Sequence, residues 1–136
     1  MRAHLSKNYL SFLLLVALVA WFVPGGGHYI LKRKKHAVII SVTIILTFLT
    51  GLYIGSLGVI DSVHAKPWYL SQLMVSPVVS LLGIMSAKGD YTVFGRPLEI
   101  GQIYTSIAGM LNLLCIINAV YLAHMKLLKR QENQIV

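Results

Sequence analysis

The stretch Pro24 to His36, PGGGHYILKRKKH, decides how the rest of the chain is read. It separates two apolar runs, 9–23 and 37–60, neither of which contains an acid or a base. A proline followed by three glycines ends one helix and lets the backbone reverse. Four consecutive cations, Lys32, Arg33, Lys34 and Lys35, then favour water or lipid headgroups. The whole insert, 24–36, is therefore expected at a membrane surface.

Composition supports a membrane reading. The 136 residues amount to one domain, 57% hydrophobic and only 12% charged, whereas soluble chains carry about 25% charged residues. Twelve Lys and Arg against four Asp and Glu give a net charge of +8. In a soluble protein that balance would suggest nucleic acid. Here the cations flank apolar runs, so they read as topology signals and contacts to anionic lipid, with no nucleic-acid partner. The single cysteine, Cys115, excludes an intrachain disulfide and reads as a structural thiol.

Four apolar segments follow from this: 9–23, 37–60, 68–87 and 101–123, with a polar loop at 88–100 and a tail at 124–136. The first begins like a signal peptide, but Leu18-Val19-Ala20 is a poor cleavage site, so it is expected to persist. Its fifteen residues make about 22 Å of helix against a bilayer core of about 30 Å. It therefore either spans a thinned bilayer or dips in and returns, with Trp21 as an interfacial anchor. The second segment spans easily. Its Thr43, Thr47, Gly51 and Gly55 recur every four residues and end in a GxxxG, a face that lets another backbone approach. In the third, Pro77 is expected to kink a spanning helix whose Ser76, Ser80, Gly83 and Ala87 form another small-residue stripe. The fourth carries the clearest pattern: Gly101, Thr105, Ala108, Asn112, Cys115 and Ala119 step by three or four residues along one helix face. That face is expected to pack on protein, with Asn112 hydrogen-bonded to another helix as structural glue or as a functional group.

Charge counting does not settle the topology of four spanning segments, because Lys and Arg divide six and six between the two sides. A different arrangement breaks the tie. If the first run re-enters without crossing and the third lies at the far interface or re-enters, the N-terminus, the basic turn and the tail share one side. Nine cations then lie on that side and three on the other, beside Asp61, Asp90 and Glu99. The run 68–87 is nevertheless long and apolar enough to cross. The expectation is therefore an all-α membrane protein, a compact bundle of about four transmembrane or re-entrant helices, with Lys32 to Lys35 facing the cytoplasm.

The stretch WFVPGGGHYILKRKKHAVIISVTIILTFLTGLYIG resembles the two-transmembrane ("TM-two") hairpin domain: a short apolar run, a glycine-rich turn with His and an aromatic, basic residues, then a long helix. The match rests on Pro24, Gly25, Gly27, His28 and Tyr29, and departs from the domain where Lys32 to Lys35 replace its usual glycine. GRPLEIGQIYTSIAGMLNLLCIINAVY is similar to a small bacterial family of uncharacterised membrane proteins, through Gly101, Gly109, Asn112 and Leu113. The resemblance implies a multipass protein of the bacterial inner membrane and supplies no catalytic residues.

Three functional classes compete. A scaffold or accessory subunit of a larger membrane complex fits the small-residue stripes, which exceed what short helices need among themselves. An oligomeric transporter or channel component would want ionisable groups within the apolar runs, which have none. An intramembrane enzyme would need paired acids, a nucleophile with its base, or a metal triad. Asp61 and His64 stand three apart but lack a third ligand. The expectation is an accessory subunit with membrane-protein partners, no catalysis, no metal and no cofactor.

Overall fold

The computed structural model describes residues 2–61, 65–89 and 95–133, with side chains from residue 9 onward. Among these there is no strand. Six α-helices follow in order: α1 (Arg2–Phe22), α2 (Gly26–Ile30), α3 (Lys34–Gly55), α4 (Lys66–Leu73), α5 (Val79–Lys88) and α6 (Arg96–Glu132), with a 3₁₀ turn at Leu57–Val59 after α3. Two of them, α3 and α6, are long and apolar enough to cross a membrane.

Six helices replace the expected four or so because the chain breaks twice, once after the run 9–23, where the turn 24–36 contributes the short α2, and once within 68–87. The first break was signalled by Pro24 and its glycines. Proline pushes the preceding residue out of the helical region, so α1 ends at Phe22. Gly25 then takes φ +83°, which a side chain would resist, and α2 returns along α1. The second break was not expected in this form. The run 68–87 is two short helices rather than one kinked helix, with the reversal at Met74 to Val78. A continuous helix would hold Tyr69 and Gly83 about 21 Å apart. Instead the Tyr69 ring lies against the Cα of Gly83, where a Cβ would come within 2.8 Å of it. The small-residue stripe of that run is therefore divided: Ser76 lies in the reversal, Gly83 is buried in α5, and Ala87 is exposed.

Helix α6 is the axis of the fold, and α1, α3 and α4 all rest on it. Pro97 in its first turn presets the backbone, and Lys129 and Arg130 in its last turn suit the negative end of its dipole. Its 37 residues extend about 55 Å. Helix α3 runs antiparallel to it at backbone contact. A Cβ at Gly51 would come within 2.9 Å of the Gly101 carbonyl and the Thr105 amide nitrogen, and one at Gly101 within 2.8 Å of the Gly51 carbonyl. Gly55 is held equally close to Pro97 and Gly101. Thr43 and Thr47 do not extend this contact. Thr43 is exposed, and the Thr47 hydroxyl donates to the Thr43 carbonyl within α3.

Two apolar clusters fill the spaces. Ile44, Phe48, Ile60, Val75, Val79 and Ala108 join α3, the second broken run and α6. Val16, Leu31, Ala119 and Ala123 join the first broken run to the C-terminal half of α6. The two ends of the bundle follow from these contacts. Tyr9 near the start of α1 is hydrogen-bonded to His124 of α6, and Arg33 lines a cavity with Lys126 and Lys129. The N-terminus, the basic turn and the tail thus share one end.

Candidate functional site at the meeting of the two breaks

The centre of the molecule is built on one face of α6. Helix α4 lies parallel to α6 at a constant offset of 38 residues. The Ser106 hydroxyl donates to the Trp68 carbonyl at 3.4 Å and Asn112 Nδ2 to the Met74 carbonyl at 2.9 Å. Between them, Gly109 meets Ser71 so closely that a Cβ would overlap the Ser71 carbonyl oxygen. Small and polar side chains at three-residue steps therefore bring α6 onto the backbone of α4.

Helix α1 approaches the same point from the other end. The C-terminal ends of α1 and α4 converge beside Asn112, near the middle of α6. A helix end leaves carbonyls without an intrahelical partner, and an apolar interior provides no water to replace one. Here the two breaks cap each other. The Trp21 indole donates to the Leu73 carbonyl at 3.0 Å, and the Ser76 hydroxyl donates to the Phe22 carbonyl at 3.0 Å. The Asn112 amide donates to Met74, to Val75 at 3.0 Å and to Ala20 at 3.4 Å. One side chain thereby ties α6 to both breaks.

A second buried amide lies one turn away. Gln72 Nε2 donates to Thr105 Oγ1 at 2.8 Å and to the Val59 carbonyl at 3.2 Å. The Thr105 hydroxyl in turn donates to the Gly101 carbonyl at 2.8 Å. Asn112, Gln72 and Thr105 are all 0% exposed. Asn112 Oδ1 and Gln72 Oε1 accept no hydrogen bond, so each amide is satisfied on its donor side alone. The electrostatic character of the site follows. Two negative helix ends meet in an apolar interior and are met by neutral N–H and O–H donors rather than by a cation.

The residues singled out by the α6 pattern are placed as follows. Gly101, Thr105, Ala108, Asn112 and Ala119 are buried and Cys115 is half-buried, all toward the other helices. Gly51 and Gly55 are the α3 side of that contact. Asn118 is exposed and makes no such contact. The turn 24–36 does not lie wholly at a surface. Pro24, Gly25, Gly27 and His28 are buried against α1, α3 and α6, while Tyr29 and Lys32 to His36 are exposed. The reason is steric, since a Cβ at position 27 would come within 2.8 Å of the Ala119 methyl, and glycine carries none. Lys34 lies 5.9 Å over the Tyr29 ring, within cation–π range. Trp21 is a strut between the breaks, not an anchor at an end. Gln72, the only amide side chain in the run 68–87, belongs to no small-residue stripe, and its one sequence signal is that an amide among apolar residues implies a partner. His64 and Asp90 lie outside the described residues. Among the described residues no three His, Cys, Asp or Glu side chains are placed to hold a metal.

These features define a class: an all-helical protein with two long apolar helices and two broken ones that interlock at a buried asparagine. The chain belongs to a family of unknown function (DUF6677), whose model matches residues 15–132. The match covers both breaks and all of α6. No curated protein and no solved structure matches the chain.

Proposed function

We propose that this protein is a small scaffold or accessory subunit embedded in a membrane, with α3 and α6 crossing it and the two broken helices dipping in from opposite faces. Support for insertion comes from the exposed surface, where Leu14, Leu18, Val42, Leu46, Leu81, Leu114 and Ile117 are each about half exposed or more. Soluble monomers rarely present a continuous apolar belt of this kind. Charge agrees with this arrangement. Arg2 and Lys7 precede Tyr9 on α1, so nine cations lie at one end and Lys66, Lys88 and Arg96 at the other. The positive-inside rule then puts the nine-cation end in the cytoplasm, at the inner membrane if the host is bacterial.

The observation that carries the scaffold reading is the closed centre. Asn112 donates to backbone carbonyls, Gln72 to the Val59 carbonyl and the Thr105 hydroxyl, and Thr105 to the Gly101 carbonyl, with no ionisable side chain among them. The polar groups hold helices together rather than line a path. An open apolar groove of about 340 Å³ between α1, α2 and α3, lined by Val23, Tyr29, Ile30 and Val38, offers a seat for a helix of another subunit. Purification in mild detergent with identification of co-purifying membrane proteins tests this. Recovery of the chain alone at stoichiometric purity, from native expression levels, counts against it. Cysteines placed at Lys34 and Lys129 should be labelled from the cytoplasmic side and one at Lys88 from the other. Labelling of Lys34 and Lys88 from the same side overturns the dipping arrangement.

One observation favours a second reading, a component of an oligomeric transporter or channel. Half-helix C-termini meeting within a bilayer are a known way to coordinate a cation, and the unpaired Asn112 Oδ1 lies between two of them. Cation flux into vesicles containing the purified chain, abolished by Asn112→Leu, would replace the first reading with this one.

A further inference from the structure

We infer that the cytoplasmic end carries a discrete site for the phosphate headgroup of an anionic phospholipid, formed by Arg33, Lys126 and Lys129. The inference rests on the membrane reading above and adds a specific ligand to it. The cavity there has a volume of about 380 Å³ and is lined by Leu31, Arg33, Tyr121, Leu122, Met125, Lys126 and Lys129. Three cations converge on it and no acid lines it, so an anion held there would be attracted by all three. Lys126 and Lys129 are one turn apart on the same side of α6, and Arg33 faces them from the basic turn. A planar guanidinium and two ammonium groups are the donors that phosphate oxygens take.

The rest of the lining distinguishes a lipid from free phosphate. Leu31, Leu122 and Met125 give the cavity an apolar wall directly below the charges, and Tyr121 is exposed beside it. A headgroup held by the cations would lay its acyl chains along that wall and onto exposed Leu114 and Ile117 further along α6. Free phosphate would gain nothing from it. The site also separates the basic residues by role. Arg33 lines the cavity while Lys32, Lys34 and Lys35 do not. Two of its three cations come from α6, about ninety residues away in the chain, which is why the run of cations alone does not reveal it.

The full chain in detergent is titrated with phosphatidylglycerol, phosphatidylcholine and inorganic phosphate, and bound lipid is read by native mass spectrometry. Phosphatidylglycerol should bind at one site per chain, with phosphatidylcholine and inorganic phosphate each at least about tenfold weaker. The triple variant Arg33→Gln, Lys126→Gln, Lys129→Gln should lose at least about tenfold in affinity, since the charge-assisted hydrogen bonds to the phosphate are lost. The triple variant Lys32→Gln, Lys34→Gln, Lys35→Gln, equal in charge, should stay within twofold. Equal losses in both would mean diffuse attraction and overturn the site. Equal binding of phosphatidylcholine, or phosphate binding as tight as lipid, would overturn it too. All six substituted residues are exposed, and unchanged helical circular dichroism checks that each variant is folded. Flotation with phosphatidylcholine vesicles separates membrane insertion from the headgroup site. Failure to float defeats the membrane reading, whereas flotation without phosphatidylglycerol preference defeats only this site.

Discussion

The two breaks lie side by side at Asn112 but are made differently. Between α1 and α2 the local sequence suffices: Pro24 stops the helix, Gly25 supplies the left-handed residue, and Gly27 has no side chain to hold the turn away from Ala119. Between α4 and α5 the sequence offers Pro77 in an otherwise apolar run, and proline in a membrane helix often gives only a kink. What turns a kink into a reversal is the supply of donors. Leu73 has no helical partner because Pro77 lacks an N–H, and Met74 and Val75 give up theirs; Trp21 and Asn112 supply the replacement donors. The first break is thus written locally, and the second is written forty to fifty residues away on two other helices. A buried polar group costs energy mainly when it is left unmatched, so distant donors can decide a backbone path.

The largest effect is expected at the local break. Gly25→Ala adds left-handed strain of about 1–2 kcal/mol and pushes a Cβ into the Ala37 carbonyl, for a total of about 3–4 kcal/mol. Folded yield and thermal stability in detergent should both fall sharply. Wild-type stability would mean that the turn is not held against α3.

Next comes Gly109→Ala, where the new methyl meets the Ser71 carbonyl oxygen. A loss of about 3 kcal/mol is expected, because backbone rather than a flexible side chain must move. This variant is a direct test of the second break. Were 68–87 a single spanning helix free of this contact, alanine at 109 would be neutral in the same melting measurement.

Asn112→Leu should cost less, about 1–2 kcal/mol, since hydrogen bonds between membrane helices are individually modest and Leu recovers some packing. The informative readout is where the damage falls. Hydrogen exchange should rise in both 20–22 and 73–76, because one side chain serves both breaks. A rise confined to either would show that the breaks are not coupled through it.

The smallest effect is expected from Pro77→Ala, within about 1 kcal/mol, because the reversal is sustained by Trp21 and Asn112 as well as by the missing N–H. Cysteines replacing Tyr69 and Gly83, with Cys115→Ser, should still be joined by a short thiol crosslinker in this variant. Loss of that crosslink would show that Pro77 alone makes the break and that the second hairpin is as local as the first.

The sequence by itself determined the helical class, the glycine turn and the face of α6 from Gly101 to Ala119. Each of these depends on near neighbours: helical periodicity, a proline with three glycines, and the absence of charge over twenty residues. It also contained the division of cations nine to three, but only for one of several topologies, and so could not choose among them. Tertiary structure alone decided that 68–87 reverses, that Trp21 is a strut and that Gln72 belongs to the core. It also brought Arg33 to Lys126 and Lys129. All four depend on which carbonyls and charges from distant segments meet. Hydropathy records how apolar each residue is, but it carries no information about which donor will reach which acceptor.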